Sequence, residues 1–121
     1  MKAAQLFLKR AYEPPSDTDG TRVLVDRLWP RGLEKHKAAI DVWLKDVAPT
    51  TELRKWFGHD PERWTEFRRR YRDELAGNPA VDELRAVMKQ SPVTLIYAAR
   101  DQEHNEAVVL RDYLTGSESS A

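Results

Sequence analysis

The chain has 121 residues, enough for one domain with a real apolar core and too few for two. Hydrophobic residues make up 40% and charged residues 33%, the balance of a soluble globular protein. Twenty basic side chains cancel twenty acidic ones, so no net field draws the chain to nucleic acid or anionic lipid, and the lack of cysteine excludes disulfides, thiolate nucleophiles and Cys-ligated metal.

The first nine residues lack the apolar core of a signal peptide, and no window has the length of a membrane span. A cytoplasmic location without membrane contact is therefore expected. Residues 5–9 are expected to form a first strand, followed by a turn-rich loop over 13–20 with two prolines and a terminal glycine. A second strand is expected over 22–28, stopped by Pro30 and Gly32. Helices are expected at about 37–46 and 52–57. The best-marked helix starts at Asp60-Pro61-Glu62, where an N-cap, a first-turn proline and an acid coincide. Trp64, Phe67, Tyr71 and Leu75 then share one stripe, and Gly77-Asn78-Pro79 ends it.

A further helix is expected over 81–89. The uninterrupted apolar run 93–99 is typical of a strand covered on both faces. Asp101 is expected to cap a last helix reaching about Leu114. The expected fold is a small single-domain α/β sandwich over 1–115, with a short, mostly parallel sheet of about three strands packed by about five helices. Residues 116–121 are expected to be a disordered polar tail. The short first connection leaves the first strand either parallel or antiparallel.

Ligands of open parallel sheets bind beyond the carboxyl ends of the strands. There the first strand, if parallel, delivers Arg10 and Tyr12. The second delivers Asp26, Arg27, Trp29 and Arg31, and the third Arg100 and Asp101, followed by His104 and Asn105. Guanidinium groups beside a helix N-terminus favour phosphate or carboxylate. The expected anion-binding residues are Arg10, Arg27, Trp29, Arg31, Arg100, Asp101 and Asn105, with Trp29 packing on an apolar or ring portion of the ligand. Asp26 and His104 are the candidate proton carriers. The plain alternative is that these charges are ion pairs closing the sheet's edge. Alternation also places Asp26 and Arg27 on opposite faces, so both reach one site only where the chain turns.

His59 and Arg70 are secondary candidates. Capping and turn formation account for much of the segment around His59, and His36 reads as an exposed loop residue. The three histidines are too dispersed to indicate a metal, so no metal site is expected and no cofactor is identified. Arg68, Arg69, Arg70 and Arg72 spread around a helix among Glu66, Asp73 and Glu74, the pattern of a salt-bridged solvated face. The chain shows no glycine-rich phosphate loop, no serine nucleophile elbow and no cluster of paired carboxylates.

Several segments together resemble a known family. They are Asp26-Arg27-Leu28-Trp29-Pro30-Arg31-Gly32, Asp41-Val42-Trp43-Leu44-Lys45, Leu53-Arg54-Lys55-Trp56-Phe57 and His59-Asp60-Pro61. To these are added Phe67 with Arg70-Tyr71, and Thr94-Leu95-Ile96-Tyr97-Ala98-Ala99 with Asp101 and His104-Asn105. In these the chain resembles the YeaO-like proteins, a branch of domain of unknown function 488, from about Gln5 to Leu114. The resemblance implies a small bacterial cytoplasmic protein with an α/β fold and brings no established activity. Longer relatives carry cysteines at the end of the corresponding strand and at the following helix start. Here those regions are Tyr97-Ala98-Ala99-Arg100 and His104-Asn105, so thiol chemistry does not carry over.

The leading expectation is thus a protein, possible as an enzyme, that holds an anionic small molecule (phosphorylated, nucleotide-like or carboxylate) in an Arg/Trp/His-lined cleft. The alternative is a nucleic-acid-binding or regulatory interaction module using the Arg-rich helix 61–76.

Overall fold

The computed structural model describes residues 6–116. The expected tail over 116–121, all but its first residue, and the expected strand residue Gln5 lie outside the described residues. In chain order the elements are β1 (Leu6–Arg10), β2 (Thr21–Leu24), α1 (Lys35–Ala38), β3 (Val42–Trp43), α2 (Thr51–Phe57), α3 (Trp64–Ala76), α4 (Ala80–Gln90), β4 (Val93–Tyr97) and α5 (Glu106–Thr115). The strands form one sheet in the order β1-β4-β2-β3, with every pairing parallel.

The orientation of the first strand follows from that order. β1 and β2 are not neighbours, because β4 lies between them and pairs with both, Leu8 and Val23 each facing Leu95. The connection over 11–20 returns along β4, where Thr94 donates its hydroxyl to the Asp19 carbonyl at 2.7 Å, and needs no helix longer than the turn Asp17–Asp19. It re-enters the sheet at Gly20, where φ is +67° and a Cβ would lie 2.2 Å from the Pro92 carbonyl oxygen. Only glycine fits so close an approach.

The expected helix over 37–46 is corrected to a fourth strand. Ala39 takes a left-handed φ of 51° and ends α1 after one turn. Asp41 then clamps the chain alongside β2, its Oδ2 accepting from the Arg22 amide at 2.8 Å while its own amide donates to Arg22 at 2.9 Å. The Leu44 amide donates to the Leu24 carbonyl at 2.9 Å. A helix here would leave that edge of β2 unpaired, and β-branched Val42 with Trp43 suits a strand.

β4 is buried at every position. One sheet face packs Val23, Val25, Val93, Leu95 and Tyr97 against the apolar sides of α2, α3, α4 and α5. The other is smaller: Leu24, Ile96 and Ala11 lie beneath Trp29, Leu33 and Ile40. Beside it, Asp19 is buried between Arg22 Nη1 at 2.6 Å and Lys9 Nζ at 3.2 Å. Asp60 caps the turn Pro61–Arg63, which leads into α3, and Phe67, Tyr71 and Leu75 are buried as their spacing indicates. Among the described residues no helix is long and apolar enough to cross a membrane.

Candidate functional site

The two central strands end side by side. β2 stops at Leu24, short of the expected residue 28, yet the Val25 amide still donates to the Ile96 carbonyl at 3.0 Å. One residue later the pairing passes to a side chain: the Ala98 amide donates to Asp26 Oδ2 at 2.9 Å. β4 correspondingly ends at Tyr97 instead of 99, and the carbonyls of Ala98 and Ala99 accept from Arg10 Nη2 and Nε at 3.2 and 2.9 Å. Arg10 therefore braces the wall of the site and does not line its cavity.

Beyond these ends opens a cavity of about 620 Å³. Asp26, Arg27, Trp29 and Arg31 line it from the β2 side, and Arg100, Asp101 and Asn105 from the β4 side. Arg54, Phe57 and His59 contribute from α2 and its C-terminal turn, and Phe67 from α3. Asp26 and Arg27 both reach the cavity because the regular strand has already ended, which releases them from strict alternation.

The walls are held by backbone contacts. Tyr12 donates its hydroxyl to the Arg31 carbonyl at 3.0 Å, fixing the Trp29–Gly32 turn to the segment after β1. Trp29 donates Nε1 to the Leu33 carbonyl at 2.7 Å and meets Trp43 edge-on, ring centroids 5.5 Å apart. Arg27 spends Nη2 and Nε on the carbonyls of Ala48 and Pro49, at 3.2 and 3.3 Å. Arg31 and Arg100 are exposed and make no side-chain hydrogen bond or ion pair among the described residues. Arg54 is also exposed, and its charge acts on Glu106.

The last helix starts later than expected. Asn105, buried, caps α5 by accepting from the Val108 amide at 3.0 Å, and its Nδ2 donates to the Asp101 carbonyl at 2.8 Å. Asp101 closes the preceding turn instead: its Oδ1 accepts from the amides of Glu103 and His104, both at 2.9 Å. Those amide bonds, with Glu103 foremost, and the His104 ring hold the Asp101 carboxyl below its ordinary value. His104 Nδ1 lies 2.9 Å from Asp101 Oδ2, and its ring packs edge-on against Trp64 at 5.2 Å. It stands behind the cavity wall as a support for Asp101. Arg70 is also elsewhere, over the Trp56 ring at 4.4 Å and paired with Glu66 at 2.8 Å.

The expected absence of paired carboxylates is corrected here. Glu106, the first residue of α5, lines the cavity beside Asp26. Burial pushes its carboxyl well above the usual range, and the charge and hydrogen bonding of Asp26 push it further. By accessible surface Glu106 is half-buried. Asp26 Oδ1 is buried with no partner among the hydrogen bonds of the fully ionised chain. In the sequence, a glutamate in a first helical turn is already explained by the helix dipole, which hides this second role. Arg54 and Phe57 carried no such signal. No group of three or more His, Asp or Glu able to hold a metal ion occurs among the described residues.

The family model described as "Inactive DUF488-N3 subclade" matches residues 5–120. A protein of Mycobacterium tuberculosis strain H37Rv, described as uncharacterized, is 42% identical over 116 residues, covering 96% of this chain and 98% of its own. The uncharacterized protein YeaO of Escherichia coli strain K12 is 44% identical over 107 residues, covering 88% of this chain and 93% of its own. No solved structure matches the chain significantly.

Proposed function

The chain belongs to the YeaO-like branch of the DUF488-related family, whose function is unknown, and from that premise we propose that its cleft binds an anionic small molecule. The anion, a phosphate or carboxylate, sits at the mouth against Arg31, Arg54 and Arg100, while Trp29 packs on an apolar or ring portion. One observation carries the reading: Arg31 and Arg100 stand exposed at a 620 Å³ cavity with no acidic partner among the described residues. On the surface of α3, by contrast, Arg69 is paired with Glu66 and Asp73, and Arg70 with Glu66. A guanidinium left open beside a concave, partly aromatic wall is suited to two-pronged capture of an oxyanion.

Binding is favoured over turnover. The matching family is described as inactive, and this chain has no cysteine with which to recover thiol chemistry. We place this binding role in the bacterial cytoplasm. The arginines of α3 take no part in it: Arg69 and Arg70 are engaged by acids, and Arg68 lies over Trp64.

Thermal-shift screening of nucleotides, sugar phosphates and carboxylates tests the proposal. At least one class should raise the melting temperature of the wild type. Arg31→Ala or Arg100→Ala should weaken that ligand by about tenfold or more, since a charge-assisted hydrogen bond contributes roughly 1.5–3 kcal/mol. Hits that bind both variants as well as the wild type would remove the site.

A further inference from the structure

Resting on the reading that the cleft takes an anion, we infer that its mouth selects a phosphate monoester over a carboxylate. His59, on the turn after α2, is the specificity residue that completes the phosphate's donor set.

His59 occupies a backbone conformation that its side chain makes costly. Its φ is +58°, directly after Gly58 at +54°. Glycine adopts this left-handed region freely, whereas a residue with a Cβ adopts it at a cost. The turn nevertheless imposes it. The Gly58 amide donates to the Arg54 carbonyl at 3.1 Å, closing α2, and the Asp60 amide donates to the Phe57 carbonyl at 3.0 Å. Asp60 then caps the turn Pro61–Arg63, so the chain is tied on both sides of His59.

The fold makes little use of the imidazole in return. His59 is exposed and makes no side-chain hydrogen bond or ion pair among the described residues. Its ring lies 6.3 Å from that of Phe57, which is buried in the cavity wall and stacks on Phe67 at 4.2 Å. A polar ring kept at a glycine-favouring position beside a cavity is the pattern of a side chain held for a ligand.

The other donors approach from separate segments. Arg31 comes from the turn after β2, Arg54 from α2 and Arg100 from beyond β4, and all three are exposed at the same cavity as His59. A carboxylate offers two oxygens in one plane, which a single guanidinium satisfies with a two-pronged contact. A phosphate monoester offers three oxygens splayed around the ester bond and up to two negative charges. Donors from several directions and several positive charges match the second shape.

The acids of the cavity do not consume these cations. Asp101 spends Oδ1 on the Glu103 and His104 amides and Oδ2 on the His104 ring. Asp26 gives Oδ2 to the Ala98 amide, and its Oδ1 is buried away from the mouth. Burial raises the Glu106 carboxyl well above the usual range, which reduces the negative charge it sets against Arg54.

Titration calorimetry with phenyl phosphate and benzoate tests this, because the probes share a ring and differ in the anion. Wild type should bind phenyl phosphate about tenfold or more tightly than benzoate. His59→Gly relieves the backbone, so its melting temperature should hold or rise. The same variant should bind phenyl phosphate about three- to tenfold more weakly and leave benzoate within about twofold. Equal binding of the two probes by the wild type would overturn the selection of phosphate and leave the anion reading standing. A preference that survives His59→Gly, or a melting temperature that falls, would assign the ring to packing and overturn its part. Failure of both probes to bind would overturn the anion reading as well.

Discussion

An unfolded chain releases the Glu106 proton near 4.5, the ordinary value for its carboxyl, whereas the folded chain retains it to higher pH. The folded state then binds more protons than the unfolded state, so stability falls as pH rises above about 4.5, by up to about 1.4 kcal/mol per pH unit. Asp19 and Asp101 act with the opposite sign. Their folded values lie below 3.8, so the stability they contribute is present above 3.8 and lost as pH falls through the folded values. At Asp19 burial pushes upward, but hydrogen bonds from the Ser16 amide, Arg22 and Lys9 outweigh it. The melting temperature should therefore peak in mildly acidic solution. Glu106→Gln should flatten the decline above that peak and leave the acid limb unchanged; an unaltered alkaline limb would contradict the account of this residue. Asp19 permits a second test. Arg22 is only 3% exposed, and Asp19→Ala leaves it without its carboxylate, at an expected cost of about 3 kcal/mol in urea unfolding. Lys9→Ala should cost much less, because the Asp19–Arg22 pair survives it.

Among the elements, the crossover from β1 to β2 has the tightest steric requirement. Gly20→Ala forces a Cβ toward the Pro92 carbonyl at a positive φ, where backbone and not a flexible side chain must give way. We expect a loss of more than about 1 kcal/mol, read from the urea midpoint, since both strain and clash oppose the substitution. An unchanged midpoint would mean that β1 and β2 join differently. The helices were legible where local chemistry and periodicity agree. Asp60-Pro61-Glu62 and the Trp64–Leu75 stripe marked α3, and Thr50 caps α2 from the residue before it. β3 was not legible, because two residues are too short to show a period of two. What makes it a strand is the unpaired edge of β2 and the clamp at Asp41, neither of which is local in sequence. The start of α5 was displaced for a similar reason. Asp101 and Asn105 are both good caps, and burial of Asn105 against the strand end selects the second.

At the scale of the whole molecule, the parallel sheet does the gathering. Once β2 and β4 lie side by side and point the same way, Arg27, Trp29, Arg31, Arg100, Asp101 and Asn105 emerge at one edge, which is why their coming together around one cavity was legible in the sequence. Arg10 and His104 emerge at the same edge but turn to brace the Ala98–Ala99 carbonyls and the Asp101 carboxyl. Side-chain direction at a strand end is set by the neighbours it finds, and those neighbours are not written beside it. The Asp26–Glu106 pair was hidden for the same reason, its two members coming from opposite ends of the chain. The account stands on the cleft being the place where this protein meets an anion. The most direct measurement is a nitrogen-15 NMR titration of the whole chain with inorganic phosphate, following the backbone amides and the Trp29 indole. Shifts should concentrate at Arg27–Gly32 and Ala98–Asn105, with the indole among them. Shifts confined to the Arg68–Arg72 face of α3, or none at all, would contradict it.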